Sequence, residues 1–128
     1  RNIRQSREFV VNIADEALAE QMVATSATLP HGESELAATG LTSAASSVVK
    51  VPRIAEAPVA FECREWATLE IGSNRLVIGV VHHAHVRDGL FDPETMRLDH
   101  TKFIPVGRMA APDWYCRTSE QYEIPRPA

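Results

Sequence analysis

The part of the sequence that most constrains the fold is residues 59–86, where two apolar, β-branched runs flank a Gly-Ser-Asn turn. The pattern predicts a first strand over residues 59–71, bent near Glu65, and a second strand over residues 75–86. Because residues 76–86 are nearly continuous in apolar and β-branched residues, this strand is predicted to be covered on both faces or to form the wall of a barrel. The rest of the chain is therefore expected to pack on this hairpin or to extend from it.

Shorter elements are predicted on both sides of the hairpin. A modest apolar stripe predicts a helix over residues 14–25, with Asp15 able to cap its start. Pro52 and Pro58 keep the segment before the hairpin extended and unsuited to a central strand. The other predicted elements are strands at residues 8–13, 102–106 and 114–117, a helix at 34–39, a turn at 107–113 and an extended arm at 119–128.

Composition argues against several classes of protein. The 128 residues are enough for one domain, and the net charge of -4 disfavours nucleic acid and anionic membranes as partners. No run is long and apolar enough to span a bilayer. Cys63 and Cys116 lie far apart and outside any CxxC pattern, so two free thiols in a reducing cytoplasm are expected, with a disulfide as the alternative.

Three histidines stand near the end of the second strand. Strand alternation places His83 and His85 on one face and His82 on the other. Two histidines on one face can bind a metal ion, but zinc needs further ligands, and His100, Cys63 or a carboxylate are candidates that the sequence does not place. The alternatives are polar side chains at a strand end, or a histidine that lines a ligand pocket.

No catalytic residue is predicted, because the sequence contains no GxSxG elbow, no GxGxxG and no GxxxxGK[ST] loop. Arg108 follows a glycine, and Trp114-Tyr115 come shortly after it. An arginine and a tyrosine at the mouth of a barrel could bind a phosphate or stack on a ring. A surface arginine beside a half-buried aromatic pair is the alternative.

Two motifs in order carry a family resemblance. They are P-R-I-x-E-x-P-V-x-x-E-C at residues 52–63 and I-G-x-x-x-L-V-I-G-x-V at residues 71–81. With RNIRQSREFVVNI near the start and VGRMAAPDWYCRTSEQYEIPRP near the end, the chain resembles the flavin reductase-like, FMN-binding split-barrel family. The resemblance extends along almost the whole chain.

The resemblance implies a mainly β fold with some α: a split β-barrel of Greek-key type with short peripheral helices. Residues 1–128 would be a single domain, the C-terminal larger part of such a barrel. The family's opening strands and much of its FMN-contacting loop precede this part, so they are expected on a second chain or in residues outside this sequence. A homodimer that binds FMN near the subunit interface is also implied.

For function, the resemblance implies hydride transfer from NADH or NADPH to flavin in the cytoplasm. The implied cofactor-binding residues are Asn2, His85, Arg108 and Tyr115. Two alternatives remain open. One is a flavoredoxin-like FMN electron carrier without enzymatic activity, and the other is a flavin-free structural or metal-binding barrel that uses His83 and His85.

Overall fold

The computed structural model describes residues 6–26 and 38–128. The named elements in these ranges are, in chain order, β1 Glu8–Ile13, α1 Glu16–Ala24, β2 Ser43–Ala44, β3 Arg53–Ile54, β4 Val59–Ile71, β5 Asn74–Val86, β6 Phe91–Asp92, β7 Arg97–Leu98, β8 Val106–Ala110 and β9 Trp114–Arg117. The mainly β fold class with little helix is confirmed. Within the described ranges, no helix has both the length and the apolar character needed to cross a membrane.

The central sheet has the strand order β1-β4-β5, with both pairings antiparallel. The predicted β4–β5 hairpin is confirmed, and Gly72 in its turn has a φ of 60°, which a residue without a Cβ adopts readily. At the predicted bend near Glu65 the register shifts between Glu65 and Ala67, and a bulge of this kind bends the strand that carries it. A second shift, between Glu62 and Cys63, was not predicted.

One side chain of β1 reaches across β4 to β5. Phe9 is the Cα partner of Cys63, and Cys63 is in turn the partner of Val81 on β5. The Phe9 ring continues as far as Gly79, where a Cβ would lie 2.4 Å from the ring's Cζ atom. The absence of a side chain at Gly79 therefore makes room for the ring that holds the outer strands together.

Helix α1 attaches the loops to one end of the sheet. Asp15 is its N-cap, as predicted, and its Oδ1 accepts the Leu18 N–H at 3.0 Å. Leu18 packs in a buried cluster with Ala14, Leu41 and Ala57. Met22, Ile54 and Val106 are partly buried against this cluster, so the core joins the helix to β3 and β8.

The prediction for residues 102–113 was wrong. No strand covers residues 102–105; instead the backbone N–H groups of Lys102 and Phe103 donate to the Asp99 carbonyl oxygen and close a turn. The strand begins at Val106, whose N–H donates to Ala14 O, and runs to Ala110 opposite β9. The predicted turn is thereby shortened, because cross-strand pairing to β9 draws Gly107 and Arg108 into a strand.

Three other predictions concern the helix at residues 34–39, the barrel and the arm at residues 119–128. Most of the predicted helix at residues 34–39 lies outside the described residues. The described strands form one three-stranded sheet and three two-stranded sheets, an open arrangement that agrees with the split barrel predicted from the resemblance. In residues 119–128, no helix or strand is assigned.

Candidate functional site

Glu62 is the one buried charged side chain among the described residues, and its side chain is 0% exposed. It lies on β4 under the loop before β3. Its Oε2 accepts the Ser47 N–H at 2.8 Å, and its Oε1 accepts the N–H groups of Val48 at 2.7 Å and Val49 at 3.0 Å. Three successive amides of one loop thus converge on one carboxylate, an arrangement that binds anions.

The same carboxylate contacts His85, whose Nε2 is hydrogen-bonded to Oε2 of Glu62. Burial is the largest influence on the pKa of Glu62 and raises it. The backbone N–H groups of residues 47–49 and the His85 ring act in the opposite direction, and together they lower the pKa from 4.5 to about 2. Glu62 is therefore an anion at neutral pH.

This pKa predicts a specific acid sensitivity. An unfolded glutamate titrates near 4.5 and folded Glu62 near 2, so the unfolded chain binds the proton first. We expect the stabilisation from Glu62 to be complete above about pH 5 and to be lost as the pH falls from about 4.5 towards 2. The measurement is the urea midpoint as a function of pH for the wild type and for Glu62→Gln. The difference between the two should shrink in that window.

Glu56 supplies the matched control. A hydrogen bond from Thr42 lowers its pKa as well, but its carboxylate lies on the surface of a loop. Glu56→Gln should follow the wild-type pH profile closely, because surface pairs contribute little. If the gap between wild type and Glu62→Gln stayed constant from pH 6 to pH 2, the assigned role of the Glu62 charge would be wrong.

His83 and His85 share a face, as predicted. Their ring centroids are 4.7 Å apart in an edge-to-face arrangement. His83 is exposed, whereas the His85 side chain is 22% exposed. His85 also lines a small cleft with Arg53 and Arg87. The His85 ring is thus oriented by Glu62 on one side and borders a cleft on another.

A β-bulge brings Glu62 to the face of these histidines. Cys63 pairs with Val81 but Glu62 pairs with His83, so His82 has no Cα partner on β4. In an uninterrupted register Glu62 would pair with His82, and the side chains of His83 and His85 would emerge on the opposite face. The extra residue therefore decides which histidines meet the buried carboxylate.

Arg108 and Tyr115 form a second candidate site on the β8–β9 hairpin. They are Cα partners, and the Arg108 guanidinium carbon lies 5.1 Å from the centre of the Tyr115 ring. Arg108 Nη2 also donates to Pro112 O at 2.7 Å. This cation–π contact and hydrogen bond hold the guanidinium over the ring.

An open cleft of about 670 Å³ separates this pair from helix α1. Arg108 is the one cation among its described lining residues, and it faces the apolar side chains of Ala19 and Val23 on the helix. The complete lining is Ala19, Glu20, Val23, Ser26, Arg108, Pro112, Asp113 and Tyr115. A cleft of this size with an aromatic ring and a single cation suits a ring-bearing anionic ligand.

Three of the four predicted cofactor-binding residues lie in the described part of the chain, and two of these three line the same cleft. Arg108 and Tyr115 line one cleft, and His85 lines another. Asn2 lies outside the described residues. Sequence reasoning missed Glu62, although an acidic residue inside the apolar run VAFEC of a strand was a usable signal, because a buried carboxylate requires partners.

The two cysteines are free, as the sequence predicted. Cys63 is buried beside Glu62 in sequence but on the opposite face of β4, and burial raises the pKa of its thiol. Its Sγ donates to Phe61 O at 3.6 Å. A buried, protonated thiol of this kind is a packing group rather than a nucleophile.

Comparison with known proteins identifies the family. A model of the flavin reductase like domain matches residues 1–105. The 2-nitrobenzoate 2-nitroreductase NbaA of Pseudomonas fluorescens is 35% identical and superposes with a TM-score of 0.89 over 98% of this chain and 62% of that chain. Nitrilotriacetate monooxygenase component B of Bacillus cereus is 32% identical, with a TM-score of 0.87 over 97% of this chain and 63% of that chain.

More distant structures show the same fold. A protein of Shewanella frigidimarina described as having a split barrel domain is 23% identical, with a TM-score of 0.82 over 98% of this chain and 63% of that one.

Among sequence relatives, an uncharacterized protein of Deinococcus radiodurans is 36% identical over 126 residues, which are 98% of this chain and 56% of that protein. The chain thus spans little more than half the length of this relative. With a family model that covers most of its residues, this mainly β, split-barrel chain belongs to the flavin reductase-like family.

Proposed function

We propose that the protein is an FMN-binding oxidoreductase of the flavin reductase type, which passes hydride from NADH or NADPH to flavin. Family membership supports a flavin-related role, and a nitroreductase and a monooxygenase component are among the similar structures. The observation that carries the proposal furthest is the Arg108–Tyr115 pair in the cleft against α1.

The residues of that cleft suit a flavin nucleotide. The Arg108 N–H groups that do not donate to Pro112 O can bind a phosphate, and the face of the Tyr115 ring that Arg108 does not cover offers a flat apolar surface. Glu20 and Asp113 also line the cleft, so Arg108 alone offsets two carboxylates there. Loss of this one cation should therefore weaken binding of an anionic ligand strongly.

FMN, when bound, supplies the redox chemistry by accepting hydride, so the protein needs no acid or base of its own. The chain's residues bind and orient the ligands: Arg108 by charge, Tyr115 by ring contact and His85 from a ring that Glu62 holds in place. Asn2 is proposed as a further contact near the phosphate.

Assembly and location are also proposals. We place the protein in the cytoplasm as a homodimer, in contact with a polypeptide segment that supplies the family's preceding strands. The end of the β4–β5 hairpin exposes Leu69 by 51%, Ile71 by 62% and Leu76 by 50%. Such an apolar surface is typical of a region that another segment or subunit covers.

The experiment is an FMN titration followed by flavin fluorescence, with NADH and NADPH oxidation measured on the same samples. Arg108→Gln should raise the Kd for FMN by about 10-fold to 100-fold, the range for loss of a charge-assisted hydrogen bond. Arg97→Gln is the matched control, because Arg97 lies in the separate β6–β7 hairpin and is exposed.

The outcomes separate the alternatives. FMN binding with nicotinamide oxidation supports a reductase. FMN binding without oxidation of either nicotinamide supports the flavoredoxin-like carrier instead. If Arg108→Gln and Arg97→Gln bound FMN equally well, the cleft would not be the flavin site. A protein that binds no FMN would contradict the proposal as a whole.

A further inference from the structure

Three potential metal ligands converge on one face of the β4–β5 hairpin. Glu62, His83 and His85 each offer one ligand atom, and the three atoms lie within 4.8 Å of one another. We propose that these residues form a binding site for a divalent transition-metal ion of the zinc class. The site lies outside the Arg108–Tyr115 cleft, and His85 is the one residue that it shares with the proposed flavin contacts.

The strand register explains why the three side chains meet. His83 and His85 are two positions apart on β5 and share a face, with their rings in contact. Glu62 is the Cα partner of His83, so its side chain emerges on that same face. The bulge at His82 creates this pairing, and bulges of this kind often redirect a side chain at a functional site.

The chemistry of the three groups suits zinc. Two imidazoles and one carboxylate are the protein ligands of one common type of catalytic zinc site, in which a fourth position is left to water. The bond lengths in such sites are about 2.0–2.2 Å, which three atoms this close can reach by small side-chain rotations. His83 is exposed, so solvent has access to the remaining position.

The hydrogen bonds of Glu62 restrict a bound ion to the side of Oε2 that faces His85. Oε1 accepts two backbone N–H groups, and Oε2 accepts the Ser47 N–H and contacts His85 Nε2. A metal ion would replace the ring proton between His85 Nε2 and Oε2, and that proton would be released to solvent where Nε2 carries it. The amides of residues 47–49 would then act as the outer partners that orient a ligating carboxylate.

The proposed site and the proposed flavin contact use different parts of His85. Nε2 faces Glu62, which leaves Nδ1 for another partner. His83 has no role in the proposed flavin site, so its substitution tests the metal alone. Glu62 is unsuitable for the test, because it also anchors the loop at residues 47–49 and its loss would disturb the fold.

The test is calorimetric titration of the metal-stripped, flavin-free protein with Zn²⁺, together with visible spectra after addition of Co²⁺. We expect one Zn²⁺ ion per chain and the absorption bands of four-coordinate Co²⁺. His83→Gln and His85→Gln should each raise the Kd for Zn²⁺ by about 10-fold or more. His82→Gln is the matched control, because His82 is the adjacent, exposed histidine and lies outside the cluster.

Two results would overturn the proposal: absence of stoichiometric Zn²⁺ binding, or an equal loss of affinity in His82→Gln and His83→Gln. A thermal shift on Zn²⁺ addition that is present in His82→Gln but absent in His83→Gln would support it without reference to flavin. Because FMN binding is scored separately, failure of either proposal leaves the other standing.

Discussion

Replacing Glu62 with alanine is expected to lower the melting temperature by about 10–20 °C, far more than a typical surface substitution would. The change leaves the amides of Ser47, Val48 and Val49 without their acceptor and removes the partner of His85. The Val49 hydrogen bond is buried and the other two are partly buried, so water replaces the lost hydrogen bonds poorly and their loss is costly. Circular dichroism during heating provides the measurement.

Matched variants separate the charge of Glu62 from its shape. Glu62→Gln keeps one carbonyl oxygen for the loop but turns an NH₂ group towards the other donors. Its melting temperature should therefore lie between those of the wild type and Glu62→Ala. Glu56→Gln removes a carboxylate that accepts the Thr42 N–H at 2.9 Å on the surface, and its melting temperature should stay close to wild type. Equal losses in Glu62→Ala and Glu56→Gln would contradict the anchoring role.

Gly79→Ala is expected to lower the free energy of unfolding by about 1–3 kcal/mol, the usual range for overpacking. The added Cβ would lie 2.4 Å from Phe9 Cζ and 3.3 Å from the Arg64 carbonyl oxygen, so the ring must move. Elsewhere in a strand the same change would stabilise, because alanine loses less backbone entropy than glycine. Urea unfolding of both proteins gives the difference.

A second substitution tests the cause of this loss. Phe9→Leu shortens the side chain that occupies the space at Gly79, so Gly79→Ala should cost much less in that background. The four proteins form a double-mutant cycle whose coupling term reports the contact. If the two changes were simply additive, the Phe9 ring would not be the reason for a glycine at this position.

Local patterns were sufficient for several elements. The alternation and turn residues of 59–86 predicted the β4–β5 hairpin and its bend near Glu65. Both signals depend on residues that are close together in the sequence. The Asp15 cap could be predicted for the same reason. The prediction of a strand at residues 102–106 was wrong because it relied on their apolar run. Hydrogen bonds to the Asp99 carbonyl oxygen close a turn there, and pairing with β9 begins only at Val106.

The sequence predicted some residues of each candidate site but not the contacts between them. Arg108 and Tyr115 could be named as a pair, but their contact requires the register between β8 and β9. For the third partner of His83 and His85, the sequence offered a carboxylate among other candidates but did not identify Glu62. Glu62 precedes them by about twenty residues, and one bulge decides which face of β5 it meets.

The amino-acid sequence by itself determined the strand-rich class, the central hairpin and the family resemblance, because each depends on residue type and short spacing. Only the tertiary structure decided that the Glu62 carboxylate lies next to three loop amides and two histidines. It also decided that Arg108 lines a cleft against helix α1. These arrangements depend on strand register and on side chains that meet from distant segments, and local sequence does not specify either.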